Sequence, residues 1–293
     1  MLYEIYTDSA CDIPEKLIKE HGIHQVYFYV SFDDENYMKE KLDINTIDYY
    51  NKMIDEGAFP KTSTPNVQDY LDAFTPTVAE GKGIICICLS GKLSGSHQAA
   101  RTAKNTLLET YPEARIEVIE SRMCTVEQGL LVLEAVRMRD AGLSFDQALT
   151  EINRILPTGR IFFTVGNLEY LKRGGRIGNV AYYAASALGI KPLIVMIDGE
   201  IFSSGIARNK KKALKKLLVN AADYFKKAGE DPNTYSFGVG KGVDSVEADE
   251  LALQMKATFE LKEDVPIWQI GSTVGTHTGP YPLGFGFVKK HDL

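Results

Sequence analysis

The sequence predicts an α/β protein made of two α/β domains, and three observations support this. Apolar strand-like runs alternate with helical patterns through the first half of the chain, which is typical of a parallel sheet with flanking helices. The 293 residues exceed the usual size of one small domain. In the second half, a turn at Gly199 joins two strand patterns, and such a hairpin makes that sheet mixed. A break at Pro157 and Gly159 divides the chain into domains 1–158 and 159–293.

The N-terminal domain alternates strands and helices in order. Apolar runs predict strands at residues 2–7, 24–32, 84–89 and 116–119. Helical spacing predicts helices at 14–21, capped by Asp12, and then at 46–56, 67–74, 97–109, 126–141 and 144–155. Because open parallel sheets bind ligands beyond the carboxyl ends of their strands, we expect a site near Asp8, Ser9 and the loops 90–96 and 120–122.

The C-terminal domain combines a mixed sheet with helices. Strands are predicted at 160–165, 192–197, 200–204, 236–239, 267–270 and 286–289. Helices are predicted at 167–173, 182–188, 210–227 and 246–260. The Gly- and Pro-rich stretch before the last strand carries no predicted element.

Composition excludes several classes of protein. A net charge of −6 argues against a nucleic-acid partner, and the lysines of 210–216 are interpreted as the solvated face of a helix. No apolar run is long enough to span a membrane. The four cysteines form no disulfide framework or metal-ligand spacing, and the chain starts on a strand pattern without a basic leader. We therefore expect a cytoplasmic protein.

Two hydroxyl-rich loops are the main functional signal. Residues 90–96 (Ser-Gly-Lys-Leu-Ser-Gly-Ser) join a strand to a helix, where free N–H groups and the positive helix end attract anions. Residues 62–64 (Thr-Ser-Thr) precede Pro65 and another helix. No obvious acid, base or metal ligand stands between the loops, so they suit holding an anion rather than transforming one. The same hydroxyls could instead serve only as helix caps or turn residues.

Other interpretations of the polar residues stay open at this point. Ser94, His277 and Asp8 could form a hydrolase triad, although Ser94 lacks a Gly-x-Ser-x-Gly elbow. Asp8 could equally orient the neighbouring loops by hydrogen bonds. His277 could bond only locally, and Arg176, after Gly174 and Gly175, could simply follow a helix end. Neither a Walker loop nor a Rossmann glycine pattern is present.

Taken in order, these segments resemble the DegV family of bacterial fatty-acid-binding proteins. The resemblance covers almost the whole chain and is carried by Thr7-Asp-Ser9, Thr62-Ser-x-Pro65, Leu93-Ser-Gly95 with Gln98, Asn167-Leu-Glu-Tyr-Leu-Lys-Arg-Gly-Gly-Arg-Ile177, Lys191-Pro192, Ala207-Arg208 and His277-Thr-Gly-Pro280. This chain differs from the family pattern at Ser96, His97, Gly178 and Tyr281-Pro282, and these differences leave Thr62 and Ser94 in place.

The resemblance implies a function as well as a fold with the ligand between two domains. It implies one long-chain fatty acid, such as palmitate, in a buried tunnel with its carboxylate on Thr62 and Ser94. It further implies a separate fatty-acid kinase that makes an acyl phosphate, with Arg176, Arg208 and His277 facing the phosphate or the kinase. We expect no metal or cofactor and a role in lipid transport or fatty acid metabolism. A lipid sensor without a kinase, or a serine hydrolase or acyl transferase using Ser94 and His277, remains the alternative.

Overall fold

The computed structural model describes residues 2–185, 190–243 and 246–291. The N-terminal half contains a four-stranded parallel sheet with helices on both faces. Its strands, in spatial order, are β2 (His24–Val26), β1 (Tyr3–Asp8), β6 (Gly83–Cys88) and β7 (Ile116–Glu120). Its helices are α1 (Glu15–Glu20), α3 (Val67–Ala79), α4 (Ser96–Thr110), α5 (Thr125–Asp140) and α6 (Phe145–Ile155).

A smaller antiparallel sheet interrupts this alternation. It consists of β4 (Met38–Lys39), β3 (Tyr29–Ser31) and β5 (Lys61–Ser63), with the helix α2 (Thr46–Asp55) between β4 and β5 in sequence. The single strand predicted at 24–32 is therefore wrong, because β2 and β3 belong to different sheets. The change of sheet occurs at Phe28, whose N–H donates to Ser9 Oγ at 3.0 Å. Thr62 lies in β5 and not in a loop.

The C-terminal half contains a six-stranded mixed sheet, as predicted. The strands, in spatial order, are β10 (Glu200–Ala207), β9 (Lys191–Ile197), β8 (Arg160–Thr164), β13 (Leu283–Lys289), β11 (Tyr235–Lys241) and β12 (Ile267–Gln269). The pair β11–β12 is parallel, and the other neighbouring pairs are antiparallel. The helices are α7 (Glu169–Arg173), α8 (Lys210–Ala228), α9 (Val246–Thr258) and α10 (Ser272–Thr278). The predicted α/β class is thus confirmed.

The helix α5 connects the two halves. It packs against β1 and β6 of the first sheet and against β11 and β13 of the second. Its buried residues therefore lie on almost every side, as Leu130, Leu131 and Gln128 show.

The domain boundary between residues 158 and 159 stays a prediction. The helix predicted at 182–188 lies partly outside the described residues, and a 3-10 helix occupies Gly178–Ala185.

The seven-residue helix α10 was not predicted, because its Ser, Thr and Gly residues show no apolar periodicity. Two buried carboxylates hold the start of this helix. Glu40 accepts hydrogen bonds from the N–H of Thr273 at 2.9 Å and from its hydroxyl at 2.8 Å. The same carboxylate accepts from Ser9 Oγ at 2.6 Å, so it joins α10 to the end of β1.

Asp12 is the second carboxylate at this junction. Its Oδ1 accepts from the N–H of Gly271 at 2.9 Å, and its Oδ2 accepts from the hydroxyl of Thr125 at 2.6 Å. Its predicted role as the cap of α1 is wrong, since Pro14 occupies that position. A Cβ on residue 271 would lie 2.3 Å from Glu40 Oε1 and 2.7 Å from Asp12 Oδ1, so only glycine fits between the two carboxylates.

Among the described helices, none is long and apolar enough to cross a membrane.

We expect Glu40→Ala to lower the free energy of unfolding by at least about 2 kcal/mol, because it leaves several buried donors without an acceptor. Urea denaturation of the variant and of wild type measures the difference. Glu35→Ala, which removes an exposed carboxylate nearby, is the matched control and should cost little. Equal loss in both variants would contradict a special role for Glu40.

The stability of the protein should depend on pH through the ionisation of Asp12. Burial raises its pKa from 3.8 to about 7, with Lys41 opposing the rise and Glu40 adding to it. A carboxyl pKa that is raised in the folded state favours folding at low pH, and this contribution is lost as the pH rises through about 7. Relative to Asp12→Asn, wild type should lose stability between pH 3.8 and about 7. Parallel stability curves for the two proteins would contradict this.

Candidate ligand-binding site

A cavity of about 90 Å³ lies where residues of the two larger sheets, β5 and α10 meet. One part of its wall is apolar and comes from both halves of the chain: Phe28, Leu89, Leu93, Cys124, Phe163, Leu171, Ile201 and Val274. The other part carries hydroxyl, imidazole and guanidinium groups, from Thr62, Thr64, Ser94, Arg176, Thr273, His277 and Thr278. The cavity therefore has the polarity of a site for an amphipathic molecule.

Asp8 holds the loop that carries Ser94 in place through hydrogen bonds. This buried carboxylate accepts from the N–H of Leu89 at 2.8 Å, from Ser96 Oγ at 2.7 Å and from Gln128 Nε2 at 3.0 Å. Ser94 Oγ in turn accepts from the N–H of Ser96 at 3.2 Å. Of its two predicted roles, Asp8 therefore performs the orienting one.

Thr62 reaches the cavity from β5. Its Oγ1 lies 3.0 Å from His277 Nε2. The alternative in which Thr62 or Ser63 caps the following helix is wrong, because Asn66 caps α3 and forms a reciprocal capping box with Asp69. The hydroxyl of Thr62 is therefore not a helix cap, and at the cavity it bonds to His277.

His277 is an uncharged group at neutral pH. Burial lowers its pKa to about 4, and the positive charge of Arg176 acts in the same direction. Its Nδ1 is buried and has no hydrogen-bond partner among the described residues. The ring packs so closely on Gly174 that a Cβ there would lie 2.1 Å from Nδ1. Glycine at 174 therefore permits the position of the imidazole.

The two predicted arginines lie in different places. Arg176 is half-buried, and its Nε and Nη1 donate to the carbonyls of Leu93 at 3.0 Å and Gly174 at 2.7 Å. These bonds fix its guanidinium beside the Ser94 loop. Arg208 is exposed, follows the end of β10 and does not line the cavity.

An outer cleft of about 310 Å³ adjoins this cavity and shares Thr62, Arg176 and His277 with it. Its other residues include the exposed Lys61 and Arg173, together with Phe59, Pro60, Tyr170, Gly174 and Thr276. The polar end of the cavity therefore faces a cleft at the protein surface, in which Lys61 pairs with Asp34 and Arg173 pairs with Glu169.

The geometry does not assemble the serine triad. His277 Nε2 contacts Thr62 rather than Ser94, no carboxylate bonds its Nδ1, and Asp8 is bonded to Leu89, Ser96 and Gln128. In the described part of the chain, no three His, Cys, Asp or Glu side chains are grouped as metal ligands. The four cysteines are free and buried.

Sequence reasoning missed residues that support the site. Thr273 and Thr278 of α10 line the cavity, and Asp12 and Glu40 hold that helix in place. The only signal in the sequence was the cluster of hydroxyls around His277, which has no periodicity and therefore predicts no element.

Comparisons with known proteins agree with this fold. The model of the DegV family matches residues 3–290. A DegV domain-containing protein of Clostridium perfringens is 32% identical over 288 residues, which cover 98% of this chain and 97% of that protein. A stearic-acid-binding protein of Eubacterium ventriosum has a TM-score of 0.94 and 40% identity, with 99% of each chain covered.

A second solved structure extends the comparison. It is a DegV family protein of Thermus thermophilus, described by its fatty-acid binding, with a TM-score of 0.88 and 27% identity over 99% of this chain and 100% of that one. The matching model spans nearly the whole chain, and relatives above 30% identity are covered almost completely. The chain therefore belongs to the DegV family.

Proposed function

We propose that this protein binds one long-chain fatty acid, with the carboxylate near Thr62 and Ser94 and the acyl chain among the apolar residues. The observation that carries the proposal is the cavity with two hydroxyl-bearing segments at one end and an apolar wall elsewhere. The relatives from Eubacterium ventriosum and Thermus thermophilus, which bind stearic acid and fatty acid respectively, support the ligand class.

The acyl chain supplies most of the affinity. Burying about fifteen methylenes at roughly 0.8 kcal/mol each contributes on the order of 12 kcal/mol before the costs of ordering. Two neutral hydroxyls contribute much less and instead fix the orientation of the carboxylate. The fixed guanidinium of Arg176 adds a permanent positive charge at the same end.

The volume of the cavity limits how a long acyl chain can bind. Its 90 Å³ is well below the roughly 300–1,000 Å³ of pockets that enclose drug-sized ligands. A tunnel long enough for palmitate therefore requires the lining side chains to move when the ligand enters. Binding should then be accompanied by repacking around Phe163, Leu171 and Ile201, which line the cavity.

We further propose that the carboxylate is presented to a separate fatty-acid kinase through the outer cleft. The cleft touches the polar end of the cavity and carries Arg176, whose guanidinium suits an incoming phosphate, as well as Lys61 and Arg173, which would have to leave their partners Asp34 and Glu169 to bind it. ATP and Mg²⁺ belong to the kinase, and this protein contributes positioning. Arg208, outside both cavities, is assigned to the kinase-facing surface rather than to the ligand.

On this proposal the protein is a carrier and not an enzyme, and it needs no cofactor of its own. Four free, buried cysteines suit the reducing cytoplasm in which we expect it to act.

Protein purified from a bacterial host should contain a fatty acid of about sixteen to eighteen carbons. This is the chain length for which the free energy of burying the methylenes was estimated above. Organic extraction with mass spectrometry tests this. Delipidated protein should unfold at a higher temperature when palmitate is added, because the ligand binds only the folded state. Lipid-free extracts together with an unchanged melting temperature would refute the proposal.

The double variant Thr62→Ala with Ser94→Ala should bind palmitate more weakly. Each lost hydrogen bond to a charged group costs roughly 1.5–3 kcal/mol, and the two losses should not add fully because they share one carboxylate. Calorimetric titration measures the change. Ser63→Ala, an exposed neighbour that lines neither cavity, should bind like wild type. Equal affinities in all three proteins would place the carboxylate elsewhere.

Arg208→Ala should bind fatty acid like wild type, and Arg176→Ala somewhat more weakly because it loses a positive charge near the carboxylate, but both should reduce acyl-phosphate formation from loaded protein by the cognate kinase. The assay contains loaded protein, kinase, ATP and Mg²⁺, and the exposed Arg101→Ala on α4 is the control. Wild-type rates in both variants would show that the arginines are structural. If wild-type protein binds fatty acid but the kinase does not phosphorylate it, the role of a lipid sensor would be favoured.

A further inference from the structure

A second, small cavity contains a buried glutamate that lacks a partner. Glu127 is 2% exposed, and its Oε2 has no hydrogen-bond partner among the described residues. The cavity has a volume of about 20 Å³, enough for one group of the size of a water molecule. Its wall includes Ser121, Met123, Glu127 and Met196, together with Arg160 and the exposed charged side chains of Arg122 and Asp198.

Glu127 is suited to recognise an uncharged polar group. Burial raises the pKa of this carboxyl well above its usual range. The nearby Arg160 uses its Nη1 on the carbonyls of Pro157 and Gly159. The unpartnered Oε2 can accept a hydrogen bond from an alcohol or a water, and a protonated carboxyl can donate one as well.

One flexible side chain separates this cavity from the acyl cavity. Met196 Sδ lies 3.6 Å from Cys124 Sγ, and Met196 stands opposite Ile201 in the β9–β10 pair. Cys124 and Ile201 both line the acyl cavity, whereas Met196 lines the small one. Because methionine has three rotatable bonds and adapts to its surroundings, a bound chain can displace it without moving the backbone.

We propose that the small cavity is a distal subsite for fatty acids that carry a hydroxyl group on the far half of the chain. The hydroxyl bonds to Glu127, and Met196 moves aside to join the two cavities. This inference rests on the proposed function, since it requires an acyl chain that starts at Thr62 and Ser94. It assigns a ligand class, hydroxylated long-chain fatty acids, to a buried carboxyl oxygen that has no partner among the described residues.

The test compares stearic acid with a series of stearic acids that carry one hydroxyl at different carbons of the distal half, the ω-hydroxy acid included. Displacement of a fluorescent fatty acid gives the ratio of their dissociation constants for wild type, Glu127→Leu and Glu127→Gln. In an apolar tunnel, a buried hydroxyl without a partner weakens binding by roughly tenfold or more. At least one hydroxylated acid should escape this loss in wild type and bind no worse than stearic acid.

The variants distinguish a hydrogen bond between the hydroxyl and Glu127 from a tunnel that accepts hydroxylated chains without such a bond. In Glu127→Leu, the favoured hydroxylated acid should bind about tenfold more weakly, while stearic acid binds as before. In Glu127→Gln, whose amide still donates and accepts, the preference should persist. Thermal unfolding of each ligand-free variant confirms that it is folded, and Glu127→Met, which also lacks the carboxyl, replaces Glu127→Leu if that variant does not fold.

Two results would overturn the inference. If stearic acid binds but every hydroxylated acid suffers the same loss in wild type and both variants, the cavity holds water only and the subsite is refuted. If stearic acid itself does not bind wild type, the proposed function fails and the subsite fails with it.

Discussion

The hydrogen bonds that Asp12 and Glu40 accept from the start of α10 are the constraint on which the site depends. They place a seven-residue helix, too short to be stable alone, between the end of β1, the helix α5 and the small sheet. That helix carries His277 to Thr62. Because buried carboxylates are costly without donors, the same bonds that position the helix also make the two acids tolerable in the interior.

On the proposed function, the polar end of the cavity receives negative charge. His277 is uncharged, and this end is lined by the hydroxyl of Ser94 and by that of Thr62, which bonds to His277. Arg176 is fixed by two carbonyls, so its charge is in place before a ligand arrives. A carboxylate entering here gains orientation at little entropic cost to the protein. It would also stabilise a proton on His277, since an adjacent negative charge raises an imidazole pKa.

The sequence predicted the larger sheets well because their residues are apolar at regular spacing. The unbroken run of β6 and the hairpin at Gly199 are examples. It failed where polar contacts determine the backbone. The chain changes sheets at Phe28 through a bond to Ser9, and α10 forms through bonds to Asp12 and Glu40. Neither partner is near in sequence, so no local pattern reports these contacts. The sequence pattern also could not predict that Arg208 lies outside the cavity.

On the proposed function, a carrier that also releases its cargo needs a cavity whose walls can repack, and the composition of this one fits that need. Its apolar wall is built from separate side chains of β8, β10, α7 and α10 rather than from one rigid element. A volume of about 90 Å³ is small for a long acyl chain, so under this proposal part of the tail's burial energy is used to hold the walls apart. The net affinity would then be lower than the area of the chain suggests, which would favour transfer of the cargo.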